Sequence, residues 1–234
     1  LILDIFALHA QSKEANLQVE LAMSVYLKPR LAGLGKTLNQ QGGGIGTRGP
    51  GEAKLETDSR LIDNRINKLR KELRKIEKQR VLQASSREKN NTPLVSIVGY
   101  TNAGKSTLLR SLTNSEAYIA DELFATVDSL QRELPIKNVQ EPLILSDTVG
   151  FIQNLPTTLI ESFKSTLLVA TSADLLIHVV DAATAIPQMH IGTVRNILEQ
   201  INVSANEIMV FNKIDRLDRA SLNDLTERYP QALF

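Results

Sequence analysis

The sequence predicts an α/β protein in which a mostly parallel, doubly wound sheet is preceded by an α-helical hairpin. Three observations carry that prediction. From Leu94 onward, short apolar runs alternate with helix-patterned stretches, as parallel strands buried on both faces require. Within that region a glycine-spaced motif stands between an apolar run and a helical stretch. Ahead of it, the first 92 residues carry helical spacing interrupted by a glycine-rich string.

Taken in order, residues 3–27 read as a helix, with Ala10, Leu17, Leu21 and Val25 recurring on one face and Pro29 near where it should stop. Eight of the twelve glycines lie between Gly33 and Gly51, which predicts a loop over 33–51. The following helix is clearer. Ile62, Ile66, Leu69, Leu73 and Ile76 are spaced 4, 3, 4, 3, the seam of a heptad that needs a partner helix. The helix before the loop is the nearest partner, so residues 1–92 form a hairpin with a glycine-rich tip; pairing with a second copy would satisfy the same seam. A polar linker, SSREKNNTP at 85–93, leads into a second unit over 93–234. Its strands are LVSIV (94–98), PLILSD (142–147), DLLIHVVD (174–181) and EIMVFNK (207–213). Helices are expected near 104–114, 156–171, 188–202 and 218–229, and LQRELPI (130–136) adds an antiparallel strand at the edge.

Composition narrows the function classes. A chain of 234 residues that is 42% hydrophobic and 23% charged is neither disordered nor collagen-like. No apolar run approaches the roughly 20 residues that span a bilayer, and LILDIFALHA lacks the basic leader of a secretion signal. A cytoplasmic location is expected, with peripheral association to membrane left open, and a monomeric state. The absence of cysteine excludes a disulfide framework, a thiolate zinc site and a thiol nucleophile. The net charge of +1 conceals two opposed halves: residues 1–92 hold 17 Lys and Arg against 10 Asp and Glu, net +7, leaving −6 on 93–234. Between Arg60 and Lys89, eleven basic residues stand against four acids. A solvated helix surface and a nucleic-acid contact both fit such a run. The glycine string adds a slender backbone carrying Arg48 and Lys54, able to enter a crevice and offer amides and a guanidinium to phosphates; a flexible hinge is its other reading. Arg48, Lys54, Arg65, Lys68 and Arg74 are therefore the candidate RNA contacts. The loop has no aromatic residue to stack on bases, which argues against reading single-stranded sequence.

The sharpest motif is GYTNAGKS, residues 99–106, which fits G-x-x-x-x-G-K-[ST]. Gly99 and Gly104 let the backbone curl through Asn102 and Ala103, so that successive N–H groups and the start of the next helix face one anion. Lys105 would bridge the outer phosphates, Ser106 would bring its hydroxyl to Mg²⁺, and Thr107 would touch the nucleotide further back. DTVG at 147–150 ends a strand, placing Asp147 to hold Mg²⁺ through water and the Gly150 amide to sense a terminal phosphate. NKID at 212–215 ends another. There Asp215 can accept both the ring N–H and the amino N–H of guanine, a donor pair that adenine lacks. Asn212 would tie this loop to the phosphate loop, and the stem of Lys213 would lie along the base. A P-loop kinase would leave NKID without a role. The three motifs in order point to GTP or GDP with Mg²⁺, and to a P-loop GTPase.

With GGGIGTRGPGE (42–52), KLETD (54–58), GYTNAGKST, LFATVD (123–128), DTVGFI (147–152) and NKID, the sequence resembles the HflX family of ribosome-associated GTPases over nearly its whole length. The resemblance implies that Thr126 is the switch threonine closing over Mg²⁺ and the terminal phosphate, joining Lys105 and Gly150 in catalysis. It also implies binding to rRNA of the large ribosomal subunit, with the hairpin near the peptidyl-transferase centre, and splitting or rescue of stalled ribosomes under stress. A small α/β portion expected before Leu1, and the Ser-Ala guanine loop expected after Phe234, lie outside this chain. Two residues qualify the chemistry. Where Ras-like enzymes place a water-orienting glutamine, this chain has Phe151, which predicts slow intrinsic hydrolysis awaiting a group supplied on activation. Asn102 stands where related GTPases coordinate K⁺, although capping the turn is its simpler role. The competing function is a guanine-nucleotide switch for a protein partner, with the hairpin as adaptor.

Overall fold

The computed structural model describes residues 2–39, 50–89, 92–113, 130–136, 142–152 and 169–234. The chain opens with two helices where one was expected over 3–27: α1 (Ile2–His9) and α2 (Lys13–Asn39). Ser12 causes the break, its Oγ accepting the Ala15 amide at 3.0 Å as the N-cap of α2. Helix α2 then runs through Pro29 instead of stopping. Proline inside a helix costs about 3 kcal/mol. Against that, α2 packs along α3 (Pro50–Lys89), and Leu21, Ile66 and Leu69 are buried in the seam, flanked by Leu17, Val25, Ile62 and Leu73. At about 1.5–3 kcal/mol per fully buried aliphatic side chain, the seam outweighs the proline. Lys28 to Asp63 at 2.5 Å and Arg65 Nε to Glu20 Oε1 at 2.6 Å lace its rim.

The 33–51 loop is also corrected. Gly33 and Gly35 belong to α2, while Pro50 and Gly51 open α3, where a missing proline N–H costs nothing. Residues 40–49, with Arg48, lie outside the described residues. At its far end α3 continues to Lys89, so Ser85–Lys89 of the expected 85–93 linker are helical, with Ser85 Oγ donating to the Val81 carbonyl at 3.1 Å.

The sheet follows the sequence pattern. Strands β1 (Leu94–Gly99), β2 (Gln131–Leu134), β3 (Leu143–Asp147), β4 (Leu175–Asp181) and β5 (Asn206–Asn212) lie in the order β2-β3-β1-β4-β5. All neighbours are parallel except β2, antiparallel on β3 at the edge. Leu233 pairs beyond β5, against Val210. Helix α4 (Lys105–Thr113) covers one face, where Val95, Ile97, Leu145 and Val179 meet Leu109. Helix α5 (Pro187–Gln200) covers the other, where Val98 and Leu176 meet Val194, Ile197 and Leu198. Helix α6 (Arg219–Arg228) packs Leu225 on Met209 and Phe211, and Asp218 caps it by accepting the Ser221 amide at 2.7 Å. Of the helix expected over 156–171, only Val169–Thr171 are described, and they are helical; LFATVD lies outside the described residues.

One apolar cluster joins the helices to the α/β unit. Phe6, Ala15, Val19 and Ala22 of α1 and α2 are buried with Val149, and Ile152 packs on the same group.

Candidate nucleotide site

Parallel strands bring their carboxyl ends to one edge of the sheet, and β1, β3 and β5 end there in GYTNAGKS, DTVG and NKID. The turn after β1 demands glycine twice. A Cβ on Gly99 would strike the Val179 carbonyl oxygen of β4, and one on Gly104, at φ +96°, would strike the Asn212 amide nitrogen. Asn102 takes φ +59°, which a short polar side chain tolerates better than most. Lys105 Nζ curls back to donate to the Tyr100 carbonyl at 2.9 Å. Burial pulls its ammonium down to about 8, with the Asp147 carboxylate opposing the shift.

The other two motifs are bonded onto this loop. Ser106 Oγ donates to Asp147 Oδ2 at 2.6 Å, and Thr148 Oγ1 donates to the Ile97 carbonyl at 2.7 Å. Phe151 forms a two-bond bridge with the loop: its N–H donates to Gly99 O at 3.1 Å, and its carbonyl accepts the Thr101 N–H at 2.8 Å. This holds Gly150 so close that a Cβ there would lie 3.0 Å from Lys105 Nζ. On the opposite side, Asn212 Nδ2 donates to the Ala103 carbonyl at 2.9 Å, and Lys213 Nζ to the Asn102 carbonyl at 2.7 Å. Lys213 sits at φ +62°, a left-handed conformation that costs a non-glycine residue about 1–3 kcal/mol. Its ammonium also pairs with Asp181 Oδ2 at 2.8 Å, which helps to hold it there.

Comparison with known proteins agrees with this geometry. Residues 94–213 match the family model described as 50S ribosome-binding GTPase, and residues 9–87 that described as GTP-binding GTPase middle region. GTPase HflX of Caldanaerobacter subterraneus subsp. tengcongensis is 53% identical over 219 residues, 93% of this chain and 51% of its own length. GTPase HflX of Escherichia coli K12 is 49% identical over 221 residues, again 93% of this chain and 51% of its own. The chain belongs to the HflX GTPase family. It spans about half the length of the curated relatives it matches. Among solved structures, a GTP-binding protein from Sulfolobus solfataricus in complex with GDP aligns with 97% of this chain and 59% of its own, at 32% identity and a TM-score of 0.56.

Within this HflX-family chain the described residues bring together Gly99, Asn102, Ala103, Gly104, Lys105, Ser106, Asp147, Gly150, Asn212 and Lys213. Thr107 is exposed on the first turn of α4, and Asp215 is exposed in the 3₁₀ turn Ile214–Arg216 after β5. Thr126 lies outside the described residues. Among the RNA candidates, Lys54 stands in the first turns of α3 and not in a loop, Lys68 and Arg74 are exposed, and Arg65 is tied to Glu20.

Four residues at the site went unread in the sequence. Asp181 holds Lys213; it ends an apolar run as Asp147 does, a signal that could have singled it out. The Tyr100 ring stacks on His190 of α5 at 3.8 Å between centroids, and burial lowers the imidazole pKa against the pull of Asp181. Thr101 is buried beside Gly150. Phe151 is buried with Val98, Ala170 and Leu176, so its ring faces the core.

Proposed function

We propose that this chain is the switching part of a GTPase that binds GTP or GDP, hydrolyses GTP to GDP and phosphate, and works on the large ribosomal subunit. One observation carries the nucleotide reading: the guanine motif and the phosphate loop are bonded together, through Asn212 to Ala103 and Lys213 to Asn102, so a base and a phosphate chain would be held at a set spacing. In that role the loop amides and Lys105 bind phosphates, Asp215 selects guanine, and the Gly150 amide senses the terminal phosphate. The Ser106 hydroxyl and Asp147 carboxylate lie 2.6 Å apart, an oxygen pair suited to a hard cation. These residues would hold Mg²⁺, Asp147 through water, and the ion would neutralise charge on the phosphates. Thr126 belongs to the same reading as the residue that closes over the terminal phosphate, and Asn102 is a candidate K⁺ ligand.

The ribosomal part of the proposal divides the chain at 92 and 93 into a basic hairpin for rRNA and a nucleotide switch, in a cytoplasmic, monomeric protein. Support comes from the exposed Lys68 and Arg74 on α3 and from the family model named for ribosome binding. Among the described residues no helix is long and apolar enough to cross a membrane. Splitting or rescue of ribosomes under stress extends the same reading. A second reading, a switch for a protein partner, is favoured by the exposed Leu61, Val81 and Leu82 on α3. Cosedimentation with purified large subunits, with a GTP analogue, GDP or no nucleotide at two salt concentrations, separates them. The RNA reading requires analogue-dependent binding that weakens steeply with salt and on replacing Lys68 and Arg74 by Ser. Binding indifferent to both would refute it.

A further inference from the structure

One peptide of the phosphate loop, the plane joining Tyr100 to Thr101, bonds to two parts of the proposed site at once. Its N–H donates to the Phe151 carbonyl at 2.8 Å, and its C=O accepts the Lys105 ammonium at 2.9 Å and the Ala103 amide at 3.3 Å. An ammonium has three protons, so the bond to Tyr100 leaves Lys105 two for phosphate oxygens and sets the directions they take. A peptide is planar, so any turn of this one swings the Lys105 anchor and the Phe151 anchor together. The residue before it is Gly99, the freest kind of joint a chain has. Tyr100 is held from outside the loop: its ring lies on the His190 imidazole, with centroids 3.8 Å apart and planes 6° from parallel. His190 stands in the first turn of α5, whose Val194, Ile197 and Leu198 are buried against the sheet. Burial lowers the imidazole pKa against the pull of Asp181, so near pH 7 the tyrosine meets a neutral ring.

We infer that His190 is a positioning residue for the outer phosphates of the nucleotide, acting through the Tyr100 ring to hold the peptide that aims Lys105. The inference rests on the GTPase reading above and adds to it a residue outside the three nucleotide motifs. Without the imidazole, the tyrosine ring loses its support on that face and the peptide turns more freely. Lys105 is then aimed at the outer phosphates for less of the time. The guanine lysine is fastened elsewhere, since Lys213 bonds to the Asn102 carbonyl and to Asp181. The loss therefore falls on nucleotides that carry a β-phosphate. GDP has one for Lys105 to grip, and GMP has none.

The test compares His190→Ala, which removes the stack, with His190→Phe, which keeps a flat neutral ring, with Tyr100→Ala, and with the double alanine variant. Affinities for GDP and GMP are measured near pH 7 by displacement of a fluorescent GDP analogue, and melting temperature shows that each variant is folded. Should His190→Ala not fold, His190→Leu, which fills the space without a flat ring, takes its place with the same expected result. His190→Ala should bind GDP more weakly by about three- to tenfold, the scale of one stacked aromatic pair, while GMP affinity stays within about twofold. His190→Phe should bind GDP within about twofold of the parent. The double variant should bind GDP no more than about twofold more weakly than Tyr100→Ala alone, because His190 acts through that ring. Parent-like GDP binding by His190→Ala, equal weakening of GDP and GMP, no rescue by phenylalanine, or losses that multiply in the double variant would each overturn the role of His190 and leave the GTPase reading standing. A parent protein that binds no guanine nucleotide would overturn that reading and the inference together.

Discussion

Replacing Phe6 by Ala tests whether the helices and the DTVG segment form one packed unit. Phe6 is 1% exposed in a cluster with Ala15, Val19, Ala22 and Val149, so removing its ring leaves a cavity lined from two parts of the chain. Buried Phe→Ala changes cost about 3–5 kcal/mol. Val149→Ala at 6% exposure deletes two methyl groups, for about 1–3 kcal/mol by transfer and cavity together. If the cluster couples the two parts, the double variant should lose less than the sum of the single losses, by about 0.5–3 kcal/mol, because the first change already loosens the second site. Chemical denaturation of the parent, both single variants and the double variant measures this directly. The GDP affinity of Phe6→Ala should also fall, although Phe6 stands outside the three nucleotide motifs. Additivity within about 0.3–0.5 kcal/mol, together with unchanged affinity, would show that α1 merely rests on the segment.

Three further outcomes are expected. His178 Nδ1 and the Arg195 guanidinium donate to Glu207 at 2.7–3.2 Å; burial alone would raise the Glu207 carboxyl, but these bonds overcome it and hold its pKa low. A depressed carboxylate contributes stability above its unfolded value of about 4.3 that is lost as pH falls through the folded one. Glu207→Gln should therefore melt below the parent at pH 7, with the gap closing below about pH 4; a gap constant across pH 3–7 would contradict this. Asp181→Asn removes the charge that pairs with Lys213 at 2.8 Å and should weaken GDP binding about three- to tenfold, on the scale of about 1 kcal/mol for losing one charged partner; unchanged affinity would exclude a role in holding Lys213. If Asn102 coordinates K⁺, hydrolysis in K⁺ buffer should exceed that in Na⁺ buffer, and Asn102→Ala should abolish the difference. Equal rates in both buffers would leave Asn102 as a turn residue only.

The sheet was legible because strands buried on two faces must be apolar, and few other elements yield LVSIV or DLLIHVVD at such spacing. The edge position of Gln131–Leu134 was legible for the opposite reason: three of its four residues, Gln131, Arg132 and Glu133, are polar and exposed. The convergence of the three motifs followed from their standing at strand ends. Hidden features depend on partners that a linear pattern does not name. Helical periodicity runs unbroken past Ser12, so a cap inside it looked like one more polar position. Pro29, Gly33 and Gly35 signal an end to α2, and only the seam against α3 overrides the proline. Val149 lies inside a nucleotide motif, where an apolar side chain reads as filler until α1 and α2 are seen to cover it.

That cover bears on how a nucleotide could act at a distance. The DTVG segment makes polar contacts on the phosphate side, through Asp147 to Ser106 and through the Phe151 bridge to Gly99 and Thr101. Its apolar contacts, through Val149 and Ile152, go to α1 and α2. Helix α2 is joined in turn to the basic helix α3 by the Leu21, Ile66 and Leu69 seam, by Arg65 to Glu20, and by Arg80 to Glu14 at 2.8 Å. A phosphate that repositions Gly150 must carry Val149 with it, since they are adjacent in the chain. Close-packed interiors do not absorb such a shift by stretching, so the cluster either moves with the segment or breaks. The two sides are comparable in size. Phosphate contacts of a few kcal/mol face a Phe6 contribution of about 3–5 kcal/mol, so neither side dictates the arrangement alone. A coupling of that kind lets nucleotide bias the helices and lets whatever grips the helices bias the nucleotide site by an equal free energy. On the ribosomal reading, large-subunit binding should therefore tighten GTP binding by the same factor as GTP tightens subunit binding.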